Sequence, residues 1–137
     1  LQQGFCGRYL HHTLQGKTTP IKVAILDQTV VVGVGNIYAS EALFRAGVRP
    51  QRPAGKLTRP EADRLAQAIK DVLRAAIKAG GSTLRDYVQA DGQVGYFFNQ
   101  FNVYDRAGQA CHTCGTPIKQ LTQAGRSTYY CPVCQPR

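Results

Sequence analysis

The 137 residues contain no methionine, so the chain does not open at a translation start, and a fragment or processed piece of a longer protein is expected. Long apolar runs are missing as well. Nothing approaches the roughly 18 consecutive apolar residues of a membrane helix, and no signal peptide is visible. Acidic residues are scarce: eight Asp and Glu face seventeen Lys and Arg, leaving +9 at neutral pH and a pI near 9.6. That balance favours a polyanionic partner. The basic residues are spread along the whole chain, so most are solvated surface, and only those that a fold aims at phosphate matter. Cysteine is sparse too, five in all, and four of the five sit in one corner, unlike the even spread of a disulfide-stapled secreted protein. The length allows one modest hydrophobic core and a small second module, with no second large domain.

What the chain does have is Cys111-His112-Thr113-Cys114 and Cys131-Pro132-Val133-Cys134, with residues 115–130 between them. Two Cys-x-x-Cys knuckles at this separation match a four-thiolate zinc site: each knuckle bends two sulfurs toward one point, and a hairpin returns the second pair to the first. One structural Zn²⁺ held by Cys111, Cys114, Cys131 and Cys134 is expected, tetrahedral and with no open position. So small a module buries little apolar surface, and metal binding contributes about 10 to 16 kcal/mol in isolated finger peptides. Two rival readings are a pair of disulfides and a redox Cys-x-x-Cys. The first belongs to chains rich in cysteine throughout, and the second needs one knuckle in a strand–helix–strand setting. His112 is expected on the surface. Four thiols committed to metal suit a reducing cytosol.

In chain order, Tyr9, Leu10 and Leu14 recur about a turn apart ahead of Gly16, predicting a short helix within residues 5–15. Cys6 is read there as a buried small residue, and His11 and His12 as surface. Pro20 opens a second short helix over 20–27, with Ile21, Ala24 and Ile25 inward and Lys22 on another side as a solvated lysine. Val30, Val31 and Val32 then break into Gly33-Val34-Gly35-Asn36 and a helical pattern through Phe44. That helix start is either a phosphate site of free amides at a positive dipole end or a glycine-rich turn closed by a capping asparagine. Gly47 and Pro50 end the helix. Thr58-Arg59-Pro60-Glu61 has the form of a capping box. Behind it Ala62, Leu65, Ala66, Ile69, Val72, Leu73, Ala76 and Ile77 predict an amphipathic helix of about 20 residues, stopped at Gly80-Gly81, whose stripe serves packing. Residues 81–98 are read as a long functional loop whose aromatic content argues against disorder. Phe101, Val103 and Tyr104 alternate as a short strand before a turn at 105–108. Ile118, Leu121, Tyr129 and Tyr130 suit two hairpin strands, with Gly125-Arg126-Ser127 at the bend and Arg126 aimed either at phosphate or into water.

Three segments combine into a recognisable pattern: Val-Gly-Val-Gly-Asn-Ile-Tyr-Ala-Ser-Glu at 32–41, Gly-Gly-Ser-Thr-Leu-Arg-Asp-Tyr at 80–87, and the four-cysteine region with Gly-Arg-Ser-Thr-Tyr-Tyr-Cys at 125–131. Together they closely resemble bacterial formamidopyrimidine-DNA glycosylase, over essentially this whole chain but only the C-terminal half of that enzyme. The resemblance implies a mainly α fold: a helix-two-turn-helix bundle over 1–104, with a lesion-lid loop at 81–98, followed by a β-hairpin four-cysteine zinc finger over 105–137. It implies damaged double-stranded DNA as partner, with Lys22, Asn36 and Arg126 at its phosphates. It assigns Ser82, Thr83, Leu84, Arg85, Asp86 and Tyr87 to the lid over a flipped 8-oxoguanine. The parent enzyme would be a monomeric base-excision-repair glycosylase and AP lyase for oxidised purines, 8-oxoguanine and formamidopyrimidines, cytoplasmic and associated with the bacterial nucleoid.

In that family the amine of an N-terminal proline attacks the sugar C1′, and an adjacent glutamate assists. This sequence begins at Leu1 with neither, and no lysine has a context suggesting a lowered pKa, so no catalytic residue is assigned within it. The wedge residues that fill the hole left by a flipped base are missing too, and the chain alone is expected to bind without cutting. Two alternatives stand beside this reading. The sister endonuclease VIII, which prefers oxidised pyrimidines, shares the Gly-Asn helix start and the finger, although the lid sequence resembles the purine branch. The other is a noncatalytic zinc-ribbon module for nucleic acid or protein.

Overall fold

The computed structural model describes residues 5–27, 30, 34–78 and 101–137. In chain order it has helices α1 (Gly7–Leu14), α2 (Ile21–Leu26), α3 (Asn36–Ala46) and α4 (Arg59–Lys78), then an antiparallel hairpin of β1 (Lys119–Gln123) and β2 (Arg126–Tyr130). The mainly α bundle followed by a hairpin is the architecture expected from the sequence. The side chain of Ile77, the proposed stop at Gly80-Gly81 and the lid residues Ser82, Thr83, Leu84, Arg85, Asp86 and Tyr87 lie outside the described residues.

The 20-residue α4 is the spine of the helical layer. Its start is a closed capping box: the Thr58 amide donates to Glu61 Oε1 at 2.9 Å and the Glu61 amide donates to Thr58 Oγ1 at 3.3 Å. Each side chain thus satisfies a backbone donor that the first turn leaves free. Arg52 reaches the same Glu61 carboxylate. Ala62, Leu65, Ala66, Ile69, Val72 and Ala76 are buried along one stripe, against Leu10 and Leu14 of α1 and Tyr38, Ala39, Ala42, Leu43 and Ala46 of α3, in a core that also takes in Ile21, Ala24 and Ile25 of α2. α3 ends at Gly47, whose φ of 73° is left-handed and suits glycine. The chain then doubles back, and the Arg52 carbonyl accepts the Ile21 amide at 2.7 Å, tying residues 48–52 to the first turn of α2.

A second, smaller cluster holds the hairpin: Val103, Cys111, Ile118, Tyr129 and Cys131, with Phe44 and Tyr104 packed against it. Tyr104 touches both layers, edge-on to Phe101 at 5.7 Å and to Tyr129 at 5.2 Å. β1 pairs with β2 from Lys119↔Tyr130 to Gln123↔Arg126. The two connecting residues, Ala124 and Gly125, both have positive φ, 51° and 78°, the handedness that matches the twist of a two-residue hairpin.

Two expectations fail in instructive ways. Phe101, Val103 and Tyr104 form no strand. The amides of Asn102, Val103 and Tyr104 all donate to the carboxylate of Glu41 on α3, at 2.7, 2.8 and 2.9 Å, so the segment curls around one anion instead of pairing with a neighbour. Cys6 is not buried. It precedes α1 as the N-cap residue, and its side chain stands exposed.

Glu41 is 4% exposed, and it accepts three backbone amides, of which the Val103 amide is fully buried. Replacing it with alanine strands the buried Val103 amide, which costs roughly 1 to 3 kcal/mol for a single buried donor, so Glu41→Ala is expected to lose about 1 to 3 kcal/mol in urea unfolding. Equal midpoints for the variant and the parent would count against the anchoring role.

Candidate metal centre and nucleic-acid interface

Cys111, Cys114, Cys131 and Cys134 converge, with all four Sγ atoms within 4.8 Å of one another. The Cys111–Cys134 separation is 3.8 Å and the Cys114–Cys131 separation is 3.5 Å. A tetrahedral ion with Zn–S bonds of about 2.3 Å places its sulfurs about 3.8 Å apart, so the four thiols fit one zinc ion. Backbone amides point at the sulfurs, Thr113 N to Cys111 Sγ at 3.4 Å and Cys134 N to Cys131 Sγ at 3.3 Å, as befits sulfur atoms that carry negative charge. His112 is exposed and takes no part, as expected. The ion would close the loop between the knuckles and leave no coordination position for a substrate.

A second convergence lies where the hairpin meets the helices. Lys22 was expected in solvent, yet it is 0% exposed. Its Nζ donates to Asn36 Oδ1 and lies 3.5 Å from the carbonyl of Ser127 on β2. The Asn36 side-chain amide donates to that same carbonyl at 3.0 Å. Asn36 is therefore not the cap of α3. Gly35 takes that place, no side chain caps the helix, and the asparagine as first helical residue is free to reach across to the finger.

Arg126, next to Ser127 and exposed, is near enough for its charge to act on Lys22. Burial first, and Arg126 second, lower the Lys22 pKa to about 8. This corrects the expectation that no lysine here has a lowered pKa. Its donors are nonetheless engaged by Asn36 and Ser127, and the amine has no exposed face for attack on a sugar. Among the described residues neither Lys22 nor Arg126 has a carboxylate partner.

The hairpin is seated on the helices by polar contacts that no sequence pattern announced. Arg49, just past α3, donates through Nε to the Gln135 carbonyl at 2.8 Å and through Nη2 to the Pro132 carbonyl at 2.7 Å, with its guanidinium 5.2 Å from the Tyr130 ring centroid. The fully buried Gln135 donates to the Val48 carbonyl at 2.9 Å and accepts from the Cys131 amide at 2.8 Å. Gln123 donates to the Pro50 carbonyl at 3.3 Å. A lone arginine after a helix and a glutamine after the last cysteine carry no local signal of such work.

Two outcomes follow. Lys22 binds a proton less tightly folded than unfolded, so its penalty on stability is complete below about pH 8 and is relieved as pH rises toward its ordinary value. Lys22→Met should therefore stabilise the DNA-free protein at pH 7 by about 1 to 3 kcal/mol and flatten the rise above pH 8 in thermal-melt midpoints. An unchanged pH profile would refute a charged, buried Lys22. Chelation of the metal should abolish amide protection in β1 and β2 while far-ultraviolet circular dichroism still reports the helices. A hairpin still protected without metal would contradict a metal-dependent finger.

The family description "Formamidopyrimidine-DNA glycosylase H2TH domain" matches residues 1–88, and "Zinc finger found in FPG and IleRS" matches residues 108–137. The formamidopyrimidine-DNA glycosylase of Paraburkholderia phymatum is 56% identical over 131 residues, covering 96% of this chain and 48% of the relative. The crystal structure of the MutM (Fpg) protein of Thermus thermophilus superposes with a TM-score of 0.86 at 45% identity, over 98% of this chain and 52% of that one. The Lactococcus lactis Fpg, solved in complex with DNA containing an abasic site, gives 0.85 at 35% identity, over 97% of this chain and 48% of that one. The chain spans about half the length of the curated relatives it matches. With both domains matched in order along its length, the chain belongs to the formamidopyrimidine-DNA glycosylase family, of which it carries the helix-two-turn-helix domain and the zinc finger.

Proposed function

We propose that this chain is the DNA-gripping half of a base-excision-repair glycosylase and AP lyase that removes oxidised purines, 8-oxoguanine and formamidopyrimidines. The observation that carries the reading is the junction of α2, α3 and β2, where a buried lysine and an exposed arginine stand together with no carboxylate partner among the described residues. A buried cation with no counter-charge is costly, and a phosphate supplied by a ligand offsets the cost. Asn36, at the start of α3, adds a neutral donor where the helix dipole is positive. Asn36 and Arg126 thus contact one or two backbone phosphates of damaged duplex DNA, and the enclosed Lys22 completes the clamp through its charge instead of by direct contact; such a partner is in keeping with the abasic-site DNA bound by the Lactococcus relative.

In this proposal residues 1–104 are the helix-two-turn-helix domain and 105–137 the finger. Ser82, Thr83, Leu84, Arg85, Asp86 and Tyr87 are a lid over the flipped base. The zinc ion stiffens the hairpin that presents Arg126. The protein acts as a monomer in the bacterial cytoplasm, at the nucleoid. The chain alone binds without cutting, because the one lysine of lowered pKa among the described residues is enclosed and the attacking amine is supplied from outside these residues.

Fluorescence anisotropy with an abasic-site duplex tests the clamp. If about three to five phosphates are neutralised, log K against log salt has a slope of roughly −3 to −4.5. Arg126→Ala and Asn36→Ala should each weaken binding about tenfold, with Arg126→Ala also making the slope shallower by about one. A flat salt response would point to a protein partner and end the proposal. Borohydride should trap no covalent complex between the 137-residue chain and abasic DNA, and a trapped band would disprove the division into a binding half and a reacting amine elsewhere.

A further inference from the structure

The metal centre and the phosphate clamp lie at different parts of the finger, and a single stretch of backbone, Val48–Arg52, is bonded to both. Its near end is held by the knuckle: Gln135 bridges the Val48 carbonyl and the Cys131 amide, while Arg49 grips the carbonyls of Gln135 and Pro132. Its middle is held by the hairpin. Pro50 accepts from Gln123, whose own carbonyl accepts the Thr128 hydroxyl at 2.9 Å, one residue past the Ser127 carbonyl of the clamp. Its far end holds α2, since Pro50 and Arg52 accept the amides of Lys22 and Ile21 at 3.4 and 2.7 Å.

We infer that Arg49 and Gln135 are positioning residues: through this strap they set the place of β2, with Arg126, relative to the first turn of α2, with Lys22. The inference rests on the reading of Lys22, Asn36 and Arg126 as a phosphate clamp. Arg49 uses a planar fork on two carbonyls that belong to the second knuckle, so it fixes that knuckle in orientation as well as in distance. Its charge is met by carbonyl dipoles and the Tyr130 ring, with no carboxylate among the described residues, and it stands beside a metal–thiolate group whose net charge is negative. Gln135 is fully buried, with both ends of its amide used, so it has no second arrangement at equal cost. Without the fork the knuckle pivots on the hairpin side alone, and Arg126 and Lys22 lose their fixed spacing.

The test uses the zinc-loaded 137-residue chain as parent, Arg49→Ala, Arg49→Lys, Arg126→Ala and the Arg49→Ala/Arg126→Ala double variant. Zinc content, amide hydrogen exchange without DNA, and affinity for an abasic-site duplex are measured on each. Arg49→Ala should keep its full complement of zinc, yet exchange faster by about tenfold at Ile21, Lys22 and Thr128. It should bind DNA about tenfold more weakly, whereas the double variant binds within about twofold of Arg126→Ala, because an absent arginine is not harmed by misplacement. Arg49→Lys, which keeps the charge but loses the fork, should share the faster exchange. Unchanged exchange in both Arg49 variants, or losses that simply multiply in the double variant, would overturn the inference. So would loss of zinc from both, which would make Arg49 a plain support of the finger. If the parent fails to bind DNA, or Arg126→Ala binds as the parent does, the clamp reading falls on its own, and the exchange data still decide whether the strap couples metal to helix.

Discussion

The docking of the four-cysteine hairpin onto helix α3 is the constraint on which the rest of this structure depends. α3 and the turn just past it are tied to the finger and its linker at three places. Asn36 at its start reaches the Ser127 carbonyl, Glu41 in its second turn gathers the amides of the linker, and Arg49 just past its end holds the second knuckle. These are side-chain-to-backbone contacts, which specify orientation in a way that apolar contact alone does not. The apolar part is slight: Phe44 and Tyr104 bridge to a cluster of Val103, Ile118 and Tyr129. A small core supplemented by a metal and by directional polar bonds is how a module of this size holds one fixed attitude.

That fixed attitude gives the buried lysine its meaning. Solvating Lys22 would be easy on an isolated amphipathic turn, and in the fold its amine meets Asn36 of α3 and the Ser127 carbonyl of β2 instead of water. A cation enclosed with an amide and a carbonyl, and with Arg126 nearby, is poorly stabilised by its own protein. The same arrangement is well suited to an anionic ligand that arrives with its charge already concentrated on a few oxygens. If the proposed clamp takes phosphate, stability and recognition are set against each other at one site, a balance common where proteins bind charged ligands.

The stapled finger also explains why the linker differs from its sequence pattern. Phe101, Val103 and Tyr104 alternate as a strand would, but alternation describes only which side chains face inward. Where the amides go is decided by what lies opposite them, and opposite them lies Glu41, a carboxylate able to accept three donors at once. Cys6 shows the reverse case. A small, apolar-looking residue in a helical pattern reads as interior, but as the residue before the first turn it stands outside the packed face of α1.

Much of the molecule was legible in the chain itself, because the relevant forces act over a few residues. The α4 stripe follows from steps of three and four, its start from Thr58 and Glu61, the hairpin from two Cys-x-x-Cys pairs and a glycine bend, and the metal from the spacing of four thiols. Asn36, Lys22 and Arg126 could be singled out by motif, but locally Lys22 read as a solvated lysine and Arg126 as aimed at phosphate or water. The tertiary structure alone decided that Lys22 is enclosed and that Asn36 reaches β2 instead of capping α3. It also decided that Glu41, Arg49, Gln123 and Gln135 tie two modules into one surface. Those contacts join residues 61 to 91 positions apart, and the direction of a side chain across such a gap is set by how whole elements pack, which no local pattern encodes.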